Sequence, residues 1–192
     1  MQWRSSILRV SAYLTWCVPL LGNAASTDAP SNDVPRGAYM ASQCTRASQC
    51  PRFDDAYATT PAFRHALSLA LRHANQDVPV WVKDKLPGAS THRDSPSGSA
   101  SPMLPLRIDD QPYVLGTMAD PENPDHNIAA LYDTQRGFIT VHYVNPSGEE
   151  LLIGDSTEIL RKVMVDYLNP ASAFSRSLVR PDVALPIPVS SK

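Results

Sequence analysis

The segment Ala119–Asn127 (ADPENPDHN) packs the carboxylates of Asp120, Glu122 and Asp125, the amide of Asn123, the imidazole of His126 and two prolines, Pro121 and Pro124, into nine residues. It is too long for a tight hairpin turn and lies between two strand-like runs. Loops held by a rigid sheet are where binding groups collect, so these acids form the candidate binding loop, against a plainer reading of solvated acids that aid solubility. The other reactive side chains are scattered. His65 and His73 stand eight residues apart, beyond the i, i+4 spacing of a helical metal pair, and His92 falls in a Ser/Pro/Gly-rich stretch. Asp54 and Asp55 are adjacent acids of the kind usually left to solvent. No G-x-S-x-G, H-E-x-x-H, Walker or dinucleotide fingerprint occurs. The chain therefore reads as a non-enzyme with no catalytic residue, no cofactor and no metal site.

The placement of proline shows which elements must hold that loop. The chain has 18 prolines in 192 residues, roughly 9% against a usual level of about 5%. They are missing from 62–78, 125–145 and 147–169, and eight of them fall between Pro79 and Pro124. Proline removes a backbone donor and fixes φ, so the gaps are where helices and central strands can run. In the first gap, Phe63, Ala66, Leu67, Ala70, Leu71 and Ala74 follow helical spacing behind an expected Thr60 N-cap and Pro61, and Val78-Pro79 is the expected stop.

The second gap predicts strands over Ile128–Asp133 and Phe138–Val144. Ile139, Val141 and Tyr143 share one face there, while Thr140 and His142 share the other, with His142 expected toward solvent. Asn145-Pro146-Ser147-Gly148 predicts a type I turn with Gly148 in the left-handed region, followed by a short strand from Glu150 to Ile153. Upstream, Leu104–Ile108 and Tyr113–Met118 flank Asp109–Pro112 as another hairpin. In the third gap an expected Asp155 cap with Glu158 precedes a helix whose stripe is Ile159, Leu160, Val163, Tyr167 and Leu168, stopped by Asn169-Pro170. The expected fold class is α+β: an antiparallel meander of about five strands flanked by an N-terminal and a C-terminal helix, over residues 59–170. Trp81 is expected as a core or near-surface anchor rather than a contact residue, and Tyr132 and Tyr143 as packing on the sheet. Residues 171–192 read as an extended tail.

Charge and leader narrow the function class. With 43% hydrophobic and 19% charged residues and a net charge of −2, the composition excludes global disorder, and the lack of any Lys/Arg cluster argues against a nucleic-acid partner. Residues 1–25 have the order of an export signal: Arg4 and Arg9, the apolar run Val10–Leu21, then Gly22, Ala24 and Ala25. That run is short of the ~20 residues needed to cross a bilayer, so stable membrane insertion is not expected. Trp16 before Cys17 is too large for a lipidation site. Loss of Arg4 and Arg9 with the leader leaves 15 basic against 19 acidic residues. Cys44 and Cys50, in the near-repeat SQCTRASQC of the polar extension 26–58, are expected to pair in an oxidising compartment.

The order of features resembles the inhibitor of vertebrate lysozyme (Ivy) family of bacterial periplasmic proteins. The resemblance rests on Pro61-Ala62-Phe63, on Val78-Pro79-Val80-Trp81-Val82 beside that family's Leu-Pro-x-Trp-Val, on Asp109–Val114, on Asn127–Tyr132 and on the C-terminal helix, over roughly residues 60–168. In that family a loop closed by its own disulfide, Cys-Lys-Pro-His-Asp-Cys, enters the catalytic cleft of c-type lysozyme. The equivalent here is the target-binding loop Asp120, Pro121, Glu122, Asn123, Pro124, Asp125 and His126. Pro121 matches the family's proline, Ala119 and Pro124 stand in place of its cysteines, and Glu122 in place of its histidine. His126 lies near enough that a shift of the loop would present an imidazole. An acidic loop meets like charge in a cleft of two carboxylates and suits a basic cleft better. The resemblance implies a periplasmic proteinaceous inhibitor of lysozyme or another peptidoglycan hydrolase, with a homodimer as an available state. The alternatives are an immunity protein against a periplasm-targeting toxin and a non-inhibitory binding module of the Gram-negative envelope.

Overall fold

The proline-free stretches become the regular elements around one mixed sheet. The structure is a computed structural model that describes residues 38–86, 100–178, 180 and 183–190. The expected leader 1–25, residues 26–37 of the polar extension, 87–99 with most of the Ser/Pro/Gly-rich stretch, and 179, 181–182 and 191–192 of the tail lie outside the described residues. In chain order the elements are α1 (Ala38–Gln43), a 3-10 turn (Ala47–Gln49), α2 (Phe53–Thr59), α3 (Pro61–His73), α4 (Val80–Lys83), β1 (Leu104–Ile108), β2 (Gln111–Ala119), β3 (Asn127–Asp133), β4 (Ile139–Val144), β5 (Glu150–Gly154), α5 (Glu158–Leu168), α6 (Ala173–Leu178) and β6 (Ile187–Val189). Among the described residues no helix is long and apolar enough to cross a membrane.

The fold is α+β. Strands β1 to β5 form the antiparallel meander, in the order β5-β4-β3-β2-β1-β6, and β6 adds parallel to β1 through Leu106↔Ile187. Helices cover both faces. On one, Phe63, Leu67 and Leu71 of α3 meet Ile128, Tyr132 and Val141, with edge-on ring contacts from Phe53 to Phe63 (5.4 Å) and from Phe63 to Tyr132 (5.3 Å). On the other, Leu160, Val163 and Met164 of α5 meet Leu115, Ala129 and Leu131. Removing a fully buried leucine such as Leu67 or Leu131 from either layer costs about 2–5 kcal/mol.

The double cover corrects the placement of His142. Its face of β4 lies beneath α5 rather than in solvent, and its side chain is 16% exposed with Nε2 3.5 Å from Glu150 Oε2. The helix ends also differ from expectation. Thr60 occupies the N-cap of α3, but its hydroxyl accepts from the Ala38 N–H (2.9 Å) and caps nothing within α3. The helix stops at His73, before Val78-Pro79, because Asn75 turns left-handed (φ 55°); the N–H groups of Asn75 and Gln76 then return to the carbonyls of Arg72 and Leu71. Asp155 does not cap α5. Its N–H donates to the Ile139 carbonyl (3.0 Å), its carbonyl accepts from the Thr140 hydroxyl, and the helix starts after Thr157. Gly154, at φ 93°, makes this close approach possible, since a Cβ there would lie 2.1 Å from the Ile139 carbonyl oxygen.

Both flanking segments are part of the fold. The described part of the polar extension carries α1 and α2, burying Ala38, Ala41, Phe53, Ala56 and Tyr57, and joins the sheet region through Phe53 N–H to Ser101 O and Met103 N–H to Pro51 O. Two or three buried apolar residues per short helix are too few to establish a period. The tail is likewise more than extended chain: α6 precedes β6, and Leu178, Leu185 and Ile187 are buried on the α5 face. Two connections differ from what the sequence suggests. The β1–β2 turn is tighter, only Asp109-Asp110, both at positive φ as a two-residue mirror-image turn requires, and the β3–β4 connection is one residue longer, with Phe138 53% exposed and outside β4. The 145–149 turn forms as expected, with Gly148 at φ 81° and Asn145 Oδ1 accepting from the backbone N–H groups of Ser147 and Glu149.

Candidate functional site

The β2–β3 connection is closed by its own backbone. The Asp120 N–H donates to the His126 carbonyl (2.8 Å), extending the ladder by one rung beyond Ala119↔Asn127, and the His126 N–H donates to the Asn123 carbonyl (2.9 Å). Asp120 holds the first bend, its Oδ1 accepting from the Glu122 N–H (2.9 Å). Asn127 holds the other end, its side-chain amide donating to the Asp125 carbonyl (3.0 Å). Within this frame Glu122, Asn123, Pro124 and Asp125 are exposed, and Asp120 and Pro121 are half-buried.

His126 does not present an imidazole to solvent. It is 8% exposed, with Nδ1 3.2 Å from Asp120 Oδ2 and Nε2 3.1 Å from the Tyr143 hydroxyl. A carboxylate only accepts, so Nδ1 carries the proton, and a neutral ring then accepts from Tyr143 at Nε2. Trp81 meets the same ring edge-on (5.3 Å), and its buried indole N–H has no hydrogen-bond partner among the described residues. Burial pushes the Tyr143 phenol above its ordinary value of 10.0. Strand alternation explains the inward turn. His126 continues the face of Ile128, which is opposite Tyr143 in register. Counting β3 back by two was the signal in the sequence, while the part played by Trp81, on a helix 45 residues earlier, left none.

The arrangement divides the loop by role. Asp120 and His126 are positioning residues within it, with Tyr143 and Trp81 beneath; Glu122 and Asp125 are the charges offered outward. The row Ala119↔Asn127↔Val144↔Glu150 sets the exposed Glu149 and Glu150 at the same end of the sheet. From Ile108 to Leu160 the chain has ten acids and one basic residue, Arg136, which pairs with buried Asp133 (2.8 Å). The loop end is thus anionic. Among the described residues no group of three or more His, Cys, Asp or Glu side chains could hold a metal ion.

Cys44 and Cys50 are joined by a disulfide, with Cα atoms 5.3 Å apart, and pack beside the α5-face core. Asp54 faces Arg52 (3.6 Å). No family model, curated protein or solved structure matches the chain.

Proposed function

We propose that this is an exported, periplasmic protein inhibitor that lodges the 120–126 loop in the active-site cleft of a peptidoglycan hydrolase whose cleft mouth is basic. The observation that carries the reading is the division within the loop. Its buried side fixes the backbone through Asp120, His126 and Tyr143, and its exposed side holds Glu122 directly after Pro121 and Asp125 directly after Pro124. A loop already fixed in one conformation loses little entropy on docking, which raises affinity without new contacts. The anionic end of the sheet speeds encounter with a cationic enzyme and disfavours acidic clefts. Inhibition is steric: the loop fills the cleft, its carboxylates pair with the rim, and no bond is made or broken.

The test is a lytic assay with a basic-cleft peptidoglycan hydrolase, comparing the full chain with Glu122→Lys/Asp125→Lys. The wild-type chain removes activity as it approaches equimolar ratio, and the charge-reversed variant, which keeps the Asp120–His126 contact, leaves activity intact. Equal inhibition by both proteins would remove the loop charges from the account.

A further inference from the structure

The sheet leaves one long edge open. Strand β5 is terminal in the sheet and pairs only with β4 among the described residues, so the backbone groups on its far side lack strand partners. This edge borders a groove of about 590 Å³ between β5 and the C-terminal half of α5. Glu150, Leu151 and Leu152 of the edge strand line it together with Asn127 of β3 and His142 and Val144 of β4, so the groove runs from the α5 face of the sheet to its edge. Met164, Val165 and Leu168 form the opposite wall, and Val165 stands 61% exposed at its lip.

Charge decides what the groove can take. Glu150 is its only carboxylate, no Lys or Arg lines it, and the C-terminal turn of α5 adds the negative end of a helix dipole. His142 Nε2 already faces the Glu150 carboxylate, whose side chain is 75% exposed and free to meet a second cation.

We infer that the groove between the β5 edge and α5 is a second binding site, taking an extended apolar peptide segment that carries a lysine or arginine and adds to β5 as a further strand. The segment's backbone pairs with the open edge. Its apolar side chains lie against Leu152, Val165 and Leu168, and its cation meets Glu150. Five residues of strand, about 17 Å, match the length of β5. The site adjoins the base of the loop at Asn127, but Glu122 and Asp125 do not line it.

The test is two-dimensional NMR of the ¹⁵N-labelled full chain titrated with acetyl-Val-Val-Lys-Val-Val-amide. The expected result is saturable shifts and slowed amide exchange in β5 and around Val165. Binding should be about tenfold weaker for the peptide with Glu replacing Lys, and about tenfold weaker for Val165→Lys, an exposed position whose change spares the fold. A peptide N-methylated at alternate residues should not bind, and the Glu122→Gln/Asp125→Asn protein should bind as wild type. Absence of β5 shifts at millimolar peptide, equal affinity for the Lys and Glu peptides, or retained affinity after N-methylation would each overturn the site. Protection of β5 that grows with protein concentration and without peptide would give the edge to a second copy instead.

Discussion

Two loops of equal span are closed in different ways. Cys44 and Cys50 are six residues apart and joined by a covalent bond, beside the α5-face core. Asp120 and His126 are also six apart and joined by hydrogen bonds, with Tyr143 and Trp81 beneath them. The covalent closure needs no support from the rest of the fold but depends on redox conditions. The second closure draws its rigidity from β4 and α4, so it exists only in the folded protein and is indifferent to reductant. The exposed carboxylates of Glu122 and Asp125 sit on the second loop.

The comparison breaks first at His126. Replacing it with alanine leaves the Asp120 carboxylate and the Tyr143 hydroxyl without their partner in a largely buried site, at a cost of about 3 kcal/mol in denaturant unfolding. Broadened amide signals over 120–126 should accompany the loss, while the Cys44–Cys50 bond stays oxidised by thiol titration. A stable variant with an unchanged loop spectrum would show that the imidazole does not hold the loop. Reducing the disulfide, or replacing both cysteines with serine, should cost about 2 kcal/mol, the chain-entropy value for so short a loop. It should leave the 120–126 amide shifts where they were. Movement of those shifts would merge the two closures into one cooperative unit.

Tyr143→Phe sharpens the comparison by removing one hydrogen bond and keeping the ring, at a cost of about 1 kcal/mol. It also bears on alkaline stability. Burial is the leading cause that raises the phenols of Tyr57, Tyr113, Tyr132 and Tyr143 above 10.0, with nearby Asp133 adding to the shift at Tyr113 and Tyr132. The folded state therefore holds these protons more tightly than the unfolded chain. Their stabilising contribution is complete below the unfolded value and is lost as pH rises through about 10 toward the higher folded values. Denaturation followed against pH should show that decline, and Tyr143→Phe should make it shallower. The smallest effect on stability belongs to Glu122→Gln/Asp125→Asn, within about 0.5 kcal/mol of wild type by denaturant midpoint, because both side chains are exposed.

What the sequence made legible follows the same division. Strands β3 to β5, helix α5 and helix α3 beyond Pro61 could be read because proline avoids them and because Phe63 to Leu71 and Leu160 to Met164 repeat at helical spacing, whereas β1 and β2 carry Pro105 and Pro112. The two-residue turn at Asp109-Asp110 was less legible, since left-handed aspartates leave a weaker mark than glycine. Helices α1 and α2 escaped reading because they are shorter than isolated helices that hold in water, and tertiary contacts such as those of Phe53 stabilise them. Strand β6 was hidden for a similar reason: three residues with a central proline, held by a parallel partner remote in sequence. At the site, the acids and prolines were visible as residue types. The inward turn of His126 was legible only by counting back two residues from Ile128, which pairs with Tyr143, whereas residue type alone suggests a histidine offered to a partner.

The most direct measurement is peptidoglycan lysis by a set of hydrolases ranked by the charge at the cleft mouth, each with the full chain at modest molar excess. The account predicts inhibition that strengthens as the cleft grows more basic and disappears with Glu122→Lys/Asp125→Lys. Undiminished lysis by every enzyme in the set, or inhibition that ignores both cleft charge and loop charge, would contradict it.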